Sequence, residues 1–226
     1  MESMIDTVCD STTHLLSLLG IDDCHAYQEE FISMLNEHPD LLDEDWSSEP
    51  ELLEVFYCYI RKRRPHTIVE IGTYKGKAAF VMAKAQEKNS YGELFTIDND
   101  EAGFSSNASA RLSSLSGPNR VTIIESSSAQ AFTSWIRAKI DLLFIDASHD
   151  YLNAVSDISL WARHLSSTRG LMVVHDTVFR LERCFPKDYV YPLSFYDIIH
   201  VTGMKNMPSL HEWKGAGFLT VRQTKQ

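Results

Sequence analysis

The stretch Val69-Glu70-Ile71-Gly72-Thr73-Tyr74-Lys75-Gly76 decides the fold. It closes a short β-rich run, Thr67–Ile71, and opens onto a helical pattern of apolar residues, Lys77–Gln86. Glycines four apart at such a junction permit a tight turn, because a residue without Cβ reaches backbone conformations closed to others. Amides at the start of the following helix suit an anion such as a carboxylate. Three residues rather than four separate the glycines, and Ala78 stands where a P-loop carries its magnesium-binding Ser or Thr, so the turn is not a P-loop. Nor does it spell the GxGxxG of a dinucleotide fold.

The same alternation repeats outward from this turn. Further apolar strand runs fall at Leu94–Asp98, Val121–Glu125, Asp141–Asp146 and Leu171–His175, and helical stretches at Ala108–Leu115, Ala129–Ala138 and Tyr151–His164. Strands apolar on both faces and spaced by helices predict a parallel sheet covered on either side. A last helix is expected over Phe195–Val201 and a terminal strand over Gly217–Arg222. Upstream, His14–Leu19, Tyr27–Leu35 and Pro50–Ile60 carry helical spacing around an acidic turn, Asp40–Ser48. The expected division is therefore an acidic helical extension, 1–64, and an α/β domain, 65–226.

Charge follows that division. Residues 1–60 hold 15 of the 31 acids and none of the 21 Lys and Arg, so the rest of the chain carries a net +5 within an overall −10. The basic run Arg61-Lys62-Arg63-Arg64 reads as a helix end, where cations meet the negative pole of the dipole before Pro65 stops the helix. A net charge of −10 argues against nucleic acid as a partner, since phosphate binding needs a basic surface. No apolar run approaches the roughly 20 residues of a membrane helix, and no basic segment precedes an apolar one at the start; a cytoplasmic protein without a membrane partner is expected. Cys9, Cys24, Cys58 and Cys184 lie too far apart in sequence for a zinc or redox pair. The acidic extension suits a solvated cap, a homodimer surface or a lid equally well.

Ligands of doubly wound sheets bind beyond the carboxyl ends of the strands, and here those ends carry acids. Asp98 closes the second strand, where an acid can accept both ribose hydroxyls of an adenosine. Through VEIGTYKG (69–76), FTIDND (95–100), ESSSA (125–129), DLLFIDASHDY (141–151) and GLMVVHDT (170–177), the chain resembles class I S-adenosylmethionine-dependent methyltransferases. The likeness is to the small-molecule O-methyltransferase branch: catechol-type, macrolide-sugar and cephalosporin-hydroxylase-like proteins. It covers about Thr67–Thr177 and the terminal strand, and implies a Rossmann-like, doubly wound, mostly parallel seven-stranded sheet. By that resemblance Glu70, Gly72, Thr73, Tyr74 and Gly76 hold the methionine end of the cofactor. Asp98 and Asn99 hold the ribose, Ser128 and Ala129 the adenine, and Asp146 also borders the site. Ser127 and Ser128 equally suit a plain helix cap before Ala129.

Asp146, His175 and Asp176 end the fourth and fifth strands, where relatives often place a divalent ion. Catechol-type enzymes have Asp-Asn and the sugar enzymes Glu-Asp where this chain has His175-Asp176, which shifts preference from magnesium toward manganese, iron or zinc. Methyl transfer to a small-molecule hydroxyl also needs a base. His149, three residues after Asp146, has a suitable ordinary pKa, so His149 with Asp146 forms the catalytic expectation. Phe179, Phe185, Tyr189 and Tyr191 suit an aromatic acceptor pocket or an ordinary packed loop. A nicotinamide-dependent oxidoreductase and a binding protein that keeps the fold without turnover are the competing readings.

Overall fold

The central strands are buried on both faces, as their unbroken apolar runs require, and everything else is arranged around them. The computed structural model describes residues 4–43, 47–115, 120–137, 139–148, 150–178, 196–207 and 213–221. In chain order the elements are β1 (Met4–Cys9), α1 (Thr12–Leu18), α2 (His25–Glu37), α3 (Pro50–Arg63), β2 (Thr67–Ile71), α4 (Lys77–Asn89) and β3 (Glu93–Asp98). There follow α5 (Ser105–Ser113), β4 (Arg120–Glu125), α6 (Ser128–Ser134), β5 (Leu142–Ile145), α7 (Tyr151–Trp161), β6 (Leu171–His175), β7 (Tyr196–Met204) and β8 (Ala216–Val221). One sheet runs in the order β1-β7-β8-β6-β5-β2-β3-β4, and β8 is antiparallel to both its neighbours while all other pairs are parallel.

Successive residues of each central strand point to opposite layers. Ile68, Phe144 and Val173 join the core formed with α1 to α4; Val69, Ile71, Leu143 and Val174 join the core under α6 and α7. The Phe56 and Phe144 rings meet edge-on at 4.6 Å, fastening α3 to the sheet.

Two sequence expectations are corrected. Among the described residues the sheet has eight strands rather than seven, because Met4–Cys9 of the extension adds β1 in parallel to β7. The helix expected over Phe195–Val201 is the strand β7: Ile198, Ile199, Val201 and Thr202 are β-branched, and pairing with both β8 and β1 outweighs a helical spacing only two turns long. Asp141 and Asp146 flank β5 rather than belong to it. Cys184 and the aromatic residues 179, 185, 189 and 191 lie outside the described residues, whereas Cys9, Cys24 and Cys58 are buried free thiols.

The basic run does end α3, and its arginines are engaged within the molecule. Arg61 Nε donates to Glu30 at 2.7 Å, and Arg63 reaches the carbonyls of Leu19 and Gly20 at 3.2 and 3.0 Å. Arg64 then takes a left-handed conformation (φ 53°) that stops the helix. No described helix is long and apolar enough to cross a membrane.

Phe144 is fully buried, so Phe144→Ala should lower the unfolding free energy by about 3–5 kcal/mol, read from urea denaturation. A loss below about 1 kcal/mol would contradict the packing of α3 on β5.

Candidate active site

Gly72 allows the tips of β2 and β5 to touch. Its φ is 101°, and a Cβ built on it would lie 2.3 Å from the Asp146 carbonyl oxygen, so no other residue fits without moving the backbone. The Gly72 N–H donates to the Ile97 carbonyl at 2.9 Å, tying the turn to β3 as well. Tyr74 continues the turn in the left-handed region (φ 47°), and Gly76 (φ 74°) precedes α4. Such a turn needs fastening. Asp98 Oδ2 accepts the Thr73 and Tyr74 N–H groups at 2.8 and 2.9 Å, and Asp98 Oδ1 accepts the Asp100 N–H at 2.8 Å. A carboxylate has about four acceptor positions, so roughly one is left for a ligand hydroxyl. Asn99 is bonded to Glu101 through both ends of its amide (2.8 and 3.3 Å).

Beyond the strand tips opens a cleft of about 640 Å³. It brings together Glu70, Gly72, Thr73, Tyr74, Asp98 and Asn99 from the β2 and β3 ends with Ser128, Ala129, Asp146 and Asp176 from the others. Gly76 and His175 stand behind this lining rather than in it. His149 lies outside the described residues. Its neighbour Asp150 is the N-cap of α7, accepting the Asn153 N–H at 3.2 Å.

Glu70 is 1% exposed and accepts a hydrogen bond from the Thr96 hydroxyl, which itself meets Thr73 Oγ1. Burial pushes its carboxyl up to about 8; the Thr96 bond opposes this, and the charges of Asp146 and Asp98 add to the rise. At the far end, Ser127 caps α6 in a reciprocal capping box with Gln130. Ser128 is therefore the first helical residue. Its hydroxyl accepts the Trp161 indole N–H at 2.8 Å and bonds to Asp157, an acid of α7 that burial raises above its ordinary pKa.

The Asp146 carboxylate is held from two sides. Ser48 donates to Oδ2 at 3.0 Å, and His175 Nδ1 meets Oδ1 at 2.8 Å. The other ring nitrogen of His175, Nε2, lies 2.7 Å from Glu49 Oε2, and the ring is only 5% exposed. Burial alone would lower the His175 pKa, but Asp146 and Glu49 override it and hold the ring well above its ordinary value. Burial alone would raise Glu49; the facing His175 charge reverses that and holds the carboxyl below its usual range. His175 is thus clamped between two carboxylates that favour its charged form, with Asp176 Oδ1 3.4 Å from Nδ1. Glu49, His175 and Asp176 each offer one potential ligand atom, all within 4.8 Å of one another. The imidazole can serve an ion only by giving up a carboxylate partner and its proton, so the donor set fits a charge pair better than a metal centre.

Ser47, Ser48, Glu49, Lys77 and Asp157 belong to this site and carry no local sequence signal. Glu49 reads as the residue before a helix-starting proline, and its partner His175 lies 126 positions away.

Residues 69–177, just under half of the chain, match the family model described as "Methyltransferase domain". Among solved structures the chain is similar to the O-methyltransferase TomG of Streptomyces achromogenes, involved in tomaymycin synthesis and solved with S-adenosylmethionine (16% identity, TM-score 0.61, covering 94% of this chain and 96% of that one). It is also similar to the Podospora anserina methyltransferase PaMTH1 bound to adenosylhomocysteine (18%, 0.58, 99% and 100%). A third is a Bacillus cereus O-methyltransferase with the same ligand (15%, 0.59, 92% and 96%). At these identities the likeness is one of fold. No curated protein sequence matches the chain.

The raised Glu70 pKa carries a stability signature. The folded state holds this proton more tightly than the unfolded chain, so the contribution is complete below about pH 4.5 and is lost as pH rises through about 8. Measured against Glu70→Gln, wild-type stability should therefore fall by up to about 1.4 kcal/mol per pH unit between those limits, read from urea midpoints. A difference independent of pH would mean that Glu70 titrates normally.

Proposed function

We propose that this chain transfers the methyl group of S-adenosylmethionine to a hydroxyl of a small molecule. The observation that carries the reading is the convergence of Glu70, Asp98 and Asp146, from three different strand tips, on one cleft within a methyltransferase domain. O-methyltransferases among the solved structures of the same fold support oxygen as the acceptor atom.

When bound, S-adenosylmethionine supplies an electrophilic methyl on a sulfonium centre. Asp98 accepts a ribose hydroxyl with its remaining acceptor position, and Asn99 or its hydrogen-bonded partner Glu101, both lining the cleft, is the proposed partner of the second. Ser128 and Ala129 border the adenine, with Asp157 behind Ser128. Glu70 and the Gly72–Tyr74 turn border the methionine end, where an arriving cation favours the ionised form of Glu70 against the neutral form that burial imposes. Asp146, fixed by Ser48 and His175, faces the acceptor side, and His149 three residues on is the proposed base. Holding both reactants in line is the main contribution, since well-oriented groups gain the equivalent of about 7–11 kcal/mol. No step is assigned to a divalent ion.

Calorimetry tests the cofactor. S-adenosylmethionine and adenosylhomocysteine should bind and NAD should not, whereas binding of NAD alone would establish the oxidoreductase reading instead. Asp98→Ala should weaken adenosylhomocysteine binding about tenfold or more, as expected for loss of a charged hydrogen-bond acceptor. Extraction with EDTA should leave that affinity and any turnover unchanged; activity restored only by manganese or magnesium would reinstate Asp146, His175 and Asp176 as ligands.

A further inference from the structure

A second cavity, of about 510 Å³, lies at the opposite edge of the sheet from the cleft. Its lining residues Asp141, Arg169 and Asp197 stand at the amino ends of β5, β6 and β7, whereas the cleft is built on carboxyl ends. Asp141 and Asp146 bracket β5, so at strand rise the two sites are about 16 Å apart. They share no lining residue. Tyr59 and Arg63 reach the second cavity from α3, where residues four apart lie on one face. Its volume suits a small molecule rather than a single ion.

Tyr59 is only 8% exposed, yet among the described residues its hydroxyl has no hydrogen-bond partner. A buried phenol usually finds one. Burial pushes the Tyr59 pKa up to about 12 against the opposing charge of Arg63, so the hydroxyl remains a donor at neutral pH. Arg63 spends Nη2 on the Leu19 and Gly20 carbonyls and forms no ion pair among the described residues. A guanidinium has five donors, so Nε and Nη1 are left over. Arg169 commits Nε to Asp141 Oδ1 at 2.8 Å and keeps both terminal nitrogens. Asp141 is filled in turn, because Oδ2 accepts the His66 and Thr67 N–H groups at 2.8 and 3.3 Å. Asp197, the other acid of the lining, is also engaged within the chain. The cavity is therefore rich in unspent donors and short of acceptors. We infer that it binds a small molecule through an oxyanion, a carboxylate or a phosphate, that takes hydrogen bonds from Tyr59, Arg63 and Arg169. Both anions match the planar fork of a guanidinium and also accept from a phenol. The site is a second one, distinct from the cleft in which methyl transfer is proposed.

Nuclear magnetic resonance titration of the full-length protein with inorganic phosphate and with malonate, at constant ionic strength in chloride, tests the site. The wild type should bind at least one probe saturably, and the tighter of the two assigns the ligand to phosphate esters or to carboxylates. Tyr59→Phe removes only an unpartnered hydroxyl, so it should leave the unfolding midpoint unchanged while weakening that binding about tenfold, the scale of a hydrogen bond to a charged group. Arg63→Gln should weaken it by at least as much. Absence of saturable binding of either probe overturns the inference. Affinity unchanged in Tyr59→Phe overturns it as well, whatever Arg63→Gln does, because the anion then sits adventitiously elsewhere on the surface. Should Arg63→Gln fail to fold, Tyr59→Phe decides alone.

Discussion

The site depends on a backbone contact: the Gly72 turn lies against the Asp146 carbonyl, and only the missing Cβ allows it. That contact sets β2 and β5 tip to tip and gives the cleft its floor. Asp98 then secures the turn from β3 by accepting two of its amides, so the acid proposed to meet a ribose is also the one that shapes the loop beside it.

The second organising interaction is the buried chain Glu49–His175–Asp146. It joins the segment before α3 to the tips of β5 and β6 through two ion pairs in surroundings nearly closed to water. Removing one carboxylate from such an arrangement strands a buried charge, which is why the bridge defines geometry more than it adds net stability. Ser48 reinforces it from the same segment. Farther out, His200 lies between Asp6 of β1 and Thr177, which follows the Asp176 tip, at 2.9 and 3.0 Å. The acidic extension therefore reaches the strand tips through two histidines and, directly, through Ser48.

Much of the fold was legible because buried parallel strands appear as continuous apolar runs that end abruptly in Asp or His. Asp98, Asp146 and His175-Asp176 stand out for that reason. β1 and β7 were not legible as a pair: Met4–Cys9 is short and interrupted by Asp6 and Thr7, and its hydrogen-bonding partner comes some 190 residues later. Within the site, acids at strand ends are visible locally, whereas the groups that tune them are not. Thr96 is hidden inside β3, Glu49 looks like a helix boundary, and Lys77 resembles any solvated residue at a helix start until the fold buries it. The ligand set Asp146, His175 and Asp176 follows from strand-end position, the resemblance and chemical type. What type cannot reveal is that Glu49 occupies the second nitrogen of the imidazole.

A crystal structure of the full chain with adenosylhomocysteine tests the account most directly. It should show the ribose at Asp98, the adenine beside Ser128 and Ala129, and the sulfur between Glu70 and Asp146. A vacant cleft, or a ligand seated elsewhere on the molecule, would contradict it.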